Sequence, residues 1–229
     1  MPNIASPALR VQRMEVCVFL FLIVPSMVLS FFVVKQGGMS FGLVSVATIL
    51  RDLSLVALIL FFLWRNGEAV ERIGWTGKNA CKDIGLGFIL FVPMYYGAAL
   101  IESALHALGF TIPSTPLPSF LAARGVPDYV LACVLVVVVA WAEETIFRGY
   151  LMLRFAAATK SSAAAVLLSA GVFAIGHGYE GSAGVVTVFV LGLVFALVYL
   201  WRKSLVAPMI MHFLQDFVGI VLAPMLGLH

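Results

Sequence analysis

The sequence predicts an all-α polytopic membrane protein, a bundle of about seven transmembrane helices with the N-terminus in the cytoplasm and the C-terminus outside. Three observations carry that prediction. Of the 229 residues, 62% are hydrophobic and 11% charged, and the mean hydropathy is +1.09, more apolar side chain than a soluble core of this length buries. Seven stretches approach the roughly 20 apolar residues that cross a bilayer. Ten of the fourteen lysines and arginines fall at the N-terminus and in the second, fourth and sixth loops, against two on the opposite side, with Arg51 and Arg148 inside spans. That asymmetry is the positive-inside pattern, and it supports an odd number of spans.

The spans are expected at 16–34, 41–64, 84–108, 129–155, 163–178, 184–201 and 206–222. The first follows Arg10 and Arg13 as a signal peptide would. Its apolar run is longer than a signal core and Lys35-Gln36-Gly37 is no small-x-small cleavage site, so it reads as a retained span. The longest connections, 65–83 and 109–128, are too short for a soluble core; the second carries Pro113, Pro116, Pro118 and Pro127 and reads as an irregular surface loop. The chain is therefore expected to be one transmembrane domain, 1–229, with three N-terminal spans and loops (1–127) leading into a C-terminal core (128–223).

The net charge of +3 is what positive-inside loops produce without an anionic ligand, and the few scattered basic residues argue against nucleic acid. Cys17, Cys81 and Cys133 lie in different segments with no paired spacing, which supports neither a disulfide framework nor a cysteine zinc site and leaves them as packing residues.

Ionisable residues inside the spans carry the chemistry, because a charge in hydrocarbon costs a few kcal/mol or more and persists where it has partners or a role. Glu143 and Glu144 follow the apolar run 130–141. Glu144 stands four residues before Arg148, the favoured order for an ion pair on one helix face, while Glu143 points about 100° away on the helical wheel. The expected division is that Arg148 neutralises Glu144 and Glu143 is left for chemistry. His177 closes the fifth span. His212 and Asp216 stand four apart on the seventh, an imidazole and a carboxylate on one face. Two other sets compete. Arg51-Asp52 are adjacent, so each is expected to find a partner on another helix or on water in a structural or supporting role. Glu102 and His106 lie toward a span end and read as a solvated face.

Glu143-Glu144-x-x-x-Arg148, Phe173-x-x-x-His177 and His212-x-x-x-Asp216, on three helices in that order, resemble the CAAX prenyl protease and bacteriocin-processing (CPBP, or ABI) family of intramembrane proteases. The likeness runs over 130–220, and Glu143 to Tyr150, EETIFRGY, is close to that family's wording. It implies an endopeptidase of a multi-pass protein, in the cell (inner) membrane if prokaryotic, acting on a membrane-anchored protein or peptide. By the resemblance, Glu143 activates water with help from His177, and His212 with the residue four later stabilises the oxyanion; Glu144, Arg148 and Phe173 support them. That later residue is Asp216 where asparagine is usual. An ionised aspartate cannot donate to an oxyanion, so Asp216 is expected to orient His212.

The residues agree without the family: peptide hydrolysis needs a base for water, a proton for the leaving amine and a donor for the oxyanion, and Glu143, His177 and His212 supply these types. The same three could hold one Zn²⁺, but no His-Glu-x-x-His motif is present, and the expectation is a metal-free glutamate mechanism. A non-catalytic membrane scaffold or immunity partner is an alternative. A transporter is a third, although no likeness between spans one to three and four to seven suggests an inverted repeat. At 1.5 Å per residue, Glu143 and His212 lie about 18 and 10 Å from the near ends of their spans and His177 about 21 Å from residue 163. The fifth helix is therefore expected to tilt or to begin later, near Val166.

Overall fold

The computed structural model describes residues 8–33, 40–112 and 121–227; Lys35, Pro113, Pro116 and Pro118 fall outside them. Every regular element among the described residues is helical. Seven rods follow one another: α1 (Leu9–Val33), α2 (Phe41–Arg65) and α3 (Ala80–Ala107); α4 (Val126–Glu144), continued by a π-helical segment (Thr145–Leu151) into α5 (Met152–Thr159); α6 (Ser162–Ile175); α7 (Gly181–Arg202); and α8 (Val206–Asp216), continued by a second π segment (Phe217–Leu222) into α9 (Ala223–Met225). Six are long and apolar enough to cross a membrane, and the architecture is a polytopic membrane bundle.

The fifth rod corrects the span expectation. Helix α6 has 14 residues, about 21 Å at 1.5 Å per residue, against a hydrocarbon core of about 30 Å. It does not begin late. Lys160 turns the chain with a left-handed φ of 57°, and the Ser161 hydroxyl accepts from the Ala164 N–H at 3.2 Å, so the helix starts at Ser162. It ends before His177, which sits in a turn ahead of the short 3-10 helix Gly178–Glu180.

Helix α4 occupies the middle, packed against α2 and α8, while α3 lies on α8 and α7, and α6 on α5 and α7. Close approach of α3 to α8 depends on Gly87, where a Cβ would stand 2.7 Å from the Ile210 Cβ and 3.0 Å from the Ala207 carbonyl. The outer helices turn Phe21, Trp64, Ile89 and Leu100 outward, which is solvent-compatible only where the solvent is lipid. Cys17, Cys81 and Cys133 are free thiols on that exposed surface rather than core packing residues.

The connection after α2 is not a free loop. Trp75 lies against Trp141, ring centroids 5.4 Å apart, and its indole N–H donates to the Thr145 hydroxyl at 3.0 Å. Several cations that read as loop charges are tied into a buried network. Arg154, 1% exposed, clamps Glu68 with its two terminal guanidinium nitrogens, Nη1 and Nη2, and reaches Glu15 Oε2 at 3.2 Å. Arg72 meets Glu68 Oε1 at 2.6 Å, and Arg65 and Asn66 meet Glu15 Oε1 at 2.6 and 2.7 Å. The Tyr150 hydroxyl donates to Glu15 Oε2 at 3.3 Å. Burial alone would raise the Glu68 carboxyl, but the hydrogen bonds and charge of Arg154, with Arg72 beside it, hold it below its ordinary value.

Candidate active site

The acid pair stands where helix geometry changes. Glu144 is the last α-helical residue before Thr145–Leu151, all seven residues of which are buried. A π segment misaligns backbone groups that an α-helix pairs, and such segments concentrate at functional sites. Side chains take up carbonyls around this one: the Thr145 hydroxyl donates to the Trp141 carbonyl at 2.7 Å, and the Ser169 hydroxyl of α6 donates to the Phe147 carbonyl at 2.7 Å. Asp216 likewise ends α8 where the second π segment begins.

The ion pair expected between Glu144 and Arg148 is present, Arg148 Nη1 donating to Glu144 Oε1 at 2.8 Å with both side chains buried. Three aromatic rings enclose the guanidinium, with centroids 4.2 Å (Phe173), 5.0 Å (Phe195) and 5.9 Å (Phe147) from its carbon, an arrangement favourable to a desolvated cation. Gly192 of α7 leaves room for it: a Cβ there would come within 3.4 Å of Arg148 Nη2 and 3.1 Å of the Ala170 Cβ.

His212 completes the cluster from α8. Its Nδ1 lies 2.8 Å from Glu144 Oε1, its Nε2 3.4 Å from Asp216 Oδ2 and 3.9 Å from Glu143 Oε2. The ring stacks on Phe195 (5.5 Å, 14°) and meets Phe173 edge-on (5.9 Å, 81°). Glu144 is thus more than the neutralised half of a pair, since it also holds His212. Glu143 is the more open acid, its side chain 15% exposed against 0% for Glu144.

His177 is the least engaged of the four residues expected to act. Its Nδ1 donates to the Phe173 carbonyl at 3.1 Å, because a carbonyl can only accept, which leaves Nε2 as the other ring nitrogen. Its ring lies 4.8 Å from Phe173 and 5.9 Å from Tyr179. Among the described residues, no hydrogen bond or ion pair joins His177 to Glu143 or His212. Phe173 is the common neighbour, touching Arg148, Phe147, His177 and His212.

Buried polar atoms are normally hydrogen-bonded. Among the described residues, Glu143 Oε2, Glu144 Oε2 and Arg148 Nη2 are buried without such a partner, two acceptors and a donor on one rod within six residues. Also among the described residues, no three His, Cys, Asp or Glu side chains are disposed to hold one metal ion. The Nδ1 atoms of His212 and His177 are taken up by Glu144 and the Phe173 carbonyl, which leaves Nε2 as the other nitrogen of each ring.

The competing pairs resolve differently. Arg51 and Asp52 pair with each other, Nε and Nη2 each 2.8 Å from Asp52 Oδ1, and not with a separate partner each, as their adjacency on the helix predicted. Both interact electrostatically with Glu143. His106 is exposed, as expected of a solvated face, and Glu102 half-buried. Tyr179 was not anticipated: it interacts electrostatically with Glu143 and Asp216, and its only sequence signal is its place two residues after His177.

Residues 125–218 match the family model described as Rce1-like: type II CAAX prenyl endopeptidase Rce1-like. The matched segment contains the acid pair, His177, His212 and Asp216. No curated protein and no solved structure matches the chain. The match makes this segment similar to type II CAAX prenyl endopeptidases, and the six helices long and apolar enough to cross a membrane are those of an integral multi-pass membrane protein.

Proposed function

Taking the CAAX-type protease family of residues 125–218 as its premise, we propose that this chain is an intramembrane endopeptidase that hydrolyses a peptide bond of a membrane-associated substrate by a metal-free, glutamate-activated mechanism. The observation that carries this is the chain of contacts from Arg148 through Glu144 to His212 Nδ1, 2.8 Å at each step, which leaves Nε2 facing Glu143 at 3.9 Å. That separation exceeds a direct hydrogen bond, yet a reacting oxygen about 2.8 Å from both atoms fits between them.

Glu143 accepts a proton from water as the water oxygen bonds to the carbonyl carbon, general-base assistance of the kind that contributes about 10²–10⁴-fold. The oxyanion takes a hydrogen bond from His212 Nε2–H, a donor of a type whose loss costs about 10²–10³-fold in other hydrolases. The proton on Glu143 then passes to the leaving nitrogen as the C–N bond breaks. His177 assists in holding the water. Asp216 accepts from His212 Nε2–H in the resting state and sets the ring plane, the role left to a carboxylate that cannot itself donate. Glu144 accepts from His212 Nδ1–H, so the ring acts as an imidazolium with a proton on each nitrogen, and Arg148 fixes Glu144.

The test uses full-length protein in proteoliposomes with a panel of membrane-anchored peptides, prenylated and unmodified, and mass spectrometry of the products. The expected result is a new C-terminus with wild type and at least about 100-fold slower cleavage with Glu143→Gln at unchanged folded yield. No cleavage by wild type across the panel, or undiminished cleavage by Glu143→Gln, would overturn the proposal.

A further inference from the structure

Glu143 and Glu144 occupy a single helical turn, and one side chain holds both of its ends. The Trp75 ring lies 5.4 Å from that of Trp141, which opens the turn, and its indole N–H donates to the hydroxyl of Thr145, which closes it, at 3.0 Å. That hydroxyl donates in turn to the Trp141 carbonyl at 2.7 Å, the same carbonyl that the Thr145 N–H bonds. At about 100° per residue, Trp141 and Thr145 share one face of the helix and Glu143 points about 180° from it. Trp75 therefore backs the acids and stands away from anything they act on.

The connection that carries Trp75 also reaches the opposite wall of the site. The Gly74 carbonyl accepts from the Leu205 N–H at 3.1 Å, and Leu205 caps the start of α8, the helix of His212 and Asp216. Gly74 has a left-handed φ of 87°, and a Cβ on it would stand 2.6 Å from Tyr199 Cε2 and 3.1 Å from Leu205 Cγ, so glycine is what lets the backbone come this close. Ile73 is fully buried, and its carbonyl would stand 2.7 Å from a Cβ on Gly149, which lays the connection directly on the π segment. Three consecutive residues thus touch both rods whose spacing defines the site, Glu143 Oε2 to His212 Nε2 at 3.9 Å. All three lie outside the family match, which begins at residue 125.

Resting on the proteolytic reading above, we propose that Ile73-Gly74-Trp75 is a strut that sets the acid-bearing turn of α4 against α8, with Gly74 and Trp75 as positioning residues of the hydrolytic reaction. The strut touches neither substrate nor reacting atoms. It is needed because the α-helical ladder is interrupted immediately after Glu144, and an interrupted ladder is where a helix bends. Trp75 pins the turn on the α-helical side of that break, and Gly74 ties the same segment to the start of α8. A reacting oxygen has to lie within reach of Glu143 and His212 together, and a misplacement of about 1 Å costs about 10²-fold in rate.

Two measurements test this, the second independent of proteolysis. On a membrane-anchored peptide that wild type cleaves, Trp75→Phe keeps a ring against Trp141, removes the N–H, and lowers kcat about 10-fold while KM stays within about 3-fold, the signature of an effect on the chemical step. Thr145→Val lowers kcat in the same way and Thr145→Ser recovers most of the loss. The double variant Trp75→Phe, Thr145→Val is at most about 3-fold slower than the slower single one, since both remove one contact. Hydrogen exchange of the full-length protein in lipid nanodiscs, read on peptides, rises several-fold with Trp75→Phe at 145–149 and also at 205–209, with 188–193 of α7 unchanged. A folded Trp75→Phe protein with kcat within about 2-fold of wild type, losses that multiply in the double variant, or no recovery by Thr145→Ser would overturn the inference. So would exchange at 205–209 equal to that of wild type. A wild type that cleaves nothing defeats the protease reading alone and leaves the exchange rates to decide this one.

Discussion

Two of the polar clusters buried among the described residues are built from the same residue types and finished differently. In the first, Glu15 and Glu68 are met by Arg65, Arg72, Arg154, Asn66 and Tyr150, and all four carboxylate oxygens have a partner; Arg154 Nε is the atom left over. In the second, Glu143, Glu144 and Asp216 share Arg148 and His212, and Glu143 and Glu144 each keep a buried oxygen unpaired. The first has donors enough for its acceptors and acts as a latch between α1, the connection after α2, and α5. The second has acceptors in excess beside a histidine whose Nε2 faces them. A structural cluster closes its own hydrogen bonds; a reactive one leaves capacity for the bond it is to break.

If that contrast is right, substitutions in the two clusters fail in different ways. Glu143→Gln has the largest expected effect, a loss of about 10³-fold in cleavage, worth about 4 kcal/mol of transition-state stabilisation, with the unfolding midpoint unchanged; single-turnover kinetics and thermal unfolding in detergent check it. Arg154→Met does the reverse. It leaves Glu68 Oε2 without a partner, takes a buried cation from both acids and costs about 3–5 kcal/mol of stability, read by denaturant unfolding, while cleavage per folded molecule stays within about 3-fold of wild type. Asp216→Asn sharpens the distinction inside the site. The amide oxygen still accepts from His212 Nε2, so the expected loss is about 10-fold or less, whereas Asp216→Ala, which removes the acceptor, loses more.

The smallest effect is a pH dependence of the latch. Glu68 is held below its ordinary value near 4.5 by Arg154 and Arg72. Its folded pKa is depressed, so its contribution to stability is fully present above that ordinary value and is lost as pH falls through the depressed one. Unfolding measured from pH 7 downward should lose stability below about pH 4.5, and Glu68→Gln should flatten that part of the curve.

Much of this was legible in the residues, for identifiable reasons. Apolar runs of bilayer length announce spans, and a carboxylate or imidazole within them stands out against leucine and valine, which is why Glu143, Glu144, Arg148, His212 and Asp216 could be named before any coordinates. The i, i+4 rule also found two real contacts, Glu144 with Arg148 and His212 with Asp216. What sequence did not show was pairing across distance. Glu68 and Glu15 look like ordinary loop and interface acids, and nothing in their spacing points to Arg154, 86 and 139 positions on. The π segments were equally silent, because Thr145–Leu151 has the composition of a continuing α-helix and its departure is accommodated by Ser169 on a different rod. The fifth span was overestimated because Gly176, His177 and Gly178 follow the apolar run without a proline to mark the point, after Ile175, where the helix ends.

The account's central claim is that the open cluster does chemistry and the closed one does not. Its most direct test is the single-turnover cleavage rate of one membrane-anchored peptide per folded molecule, compared for wild type, Glu143→Gln and Arg154→Met in the same liposomes. The account predicts a rate lower by about 10³-fold for Glu143→Gln and within about 3-fold of wild type for Arg154→Met. Equal rates for wild type and a folded Glu143→Gln protein would contradict it.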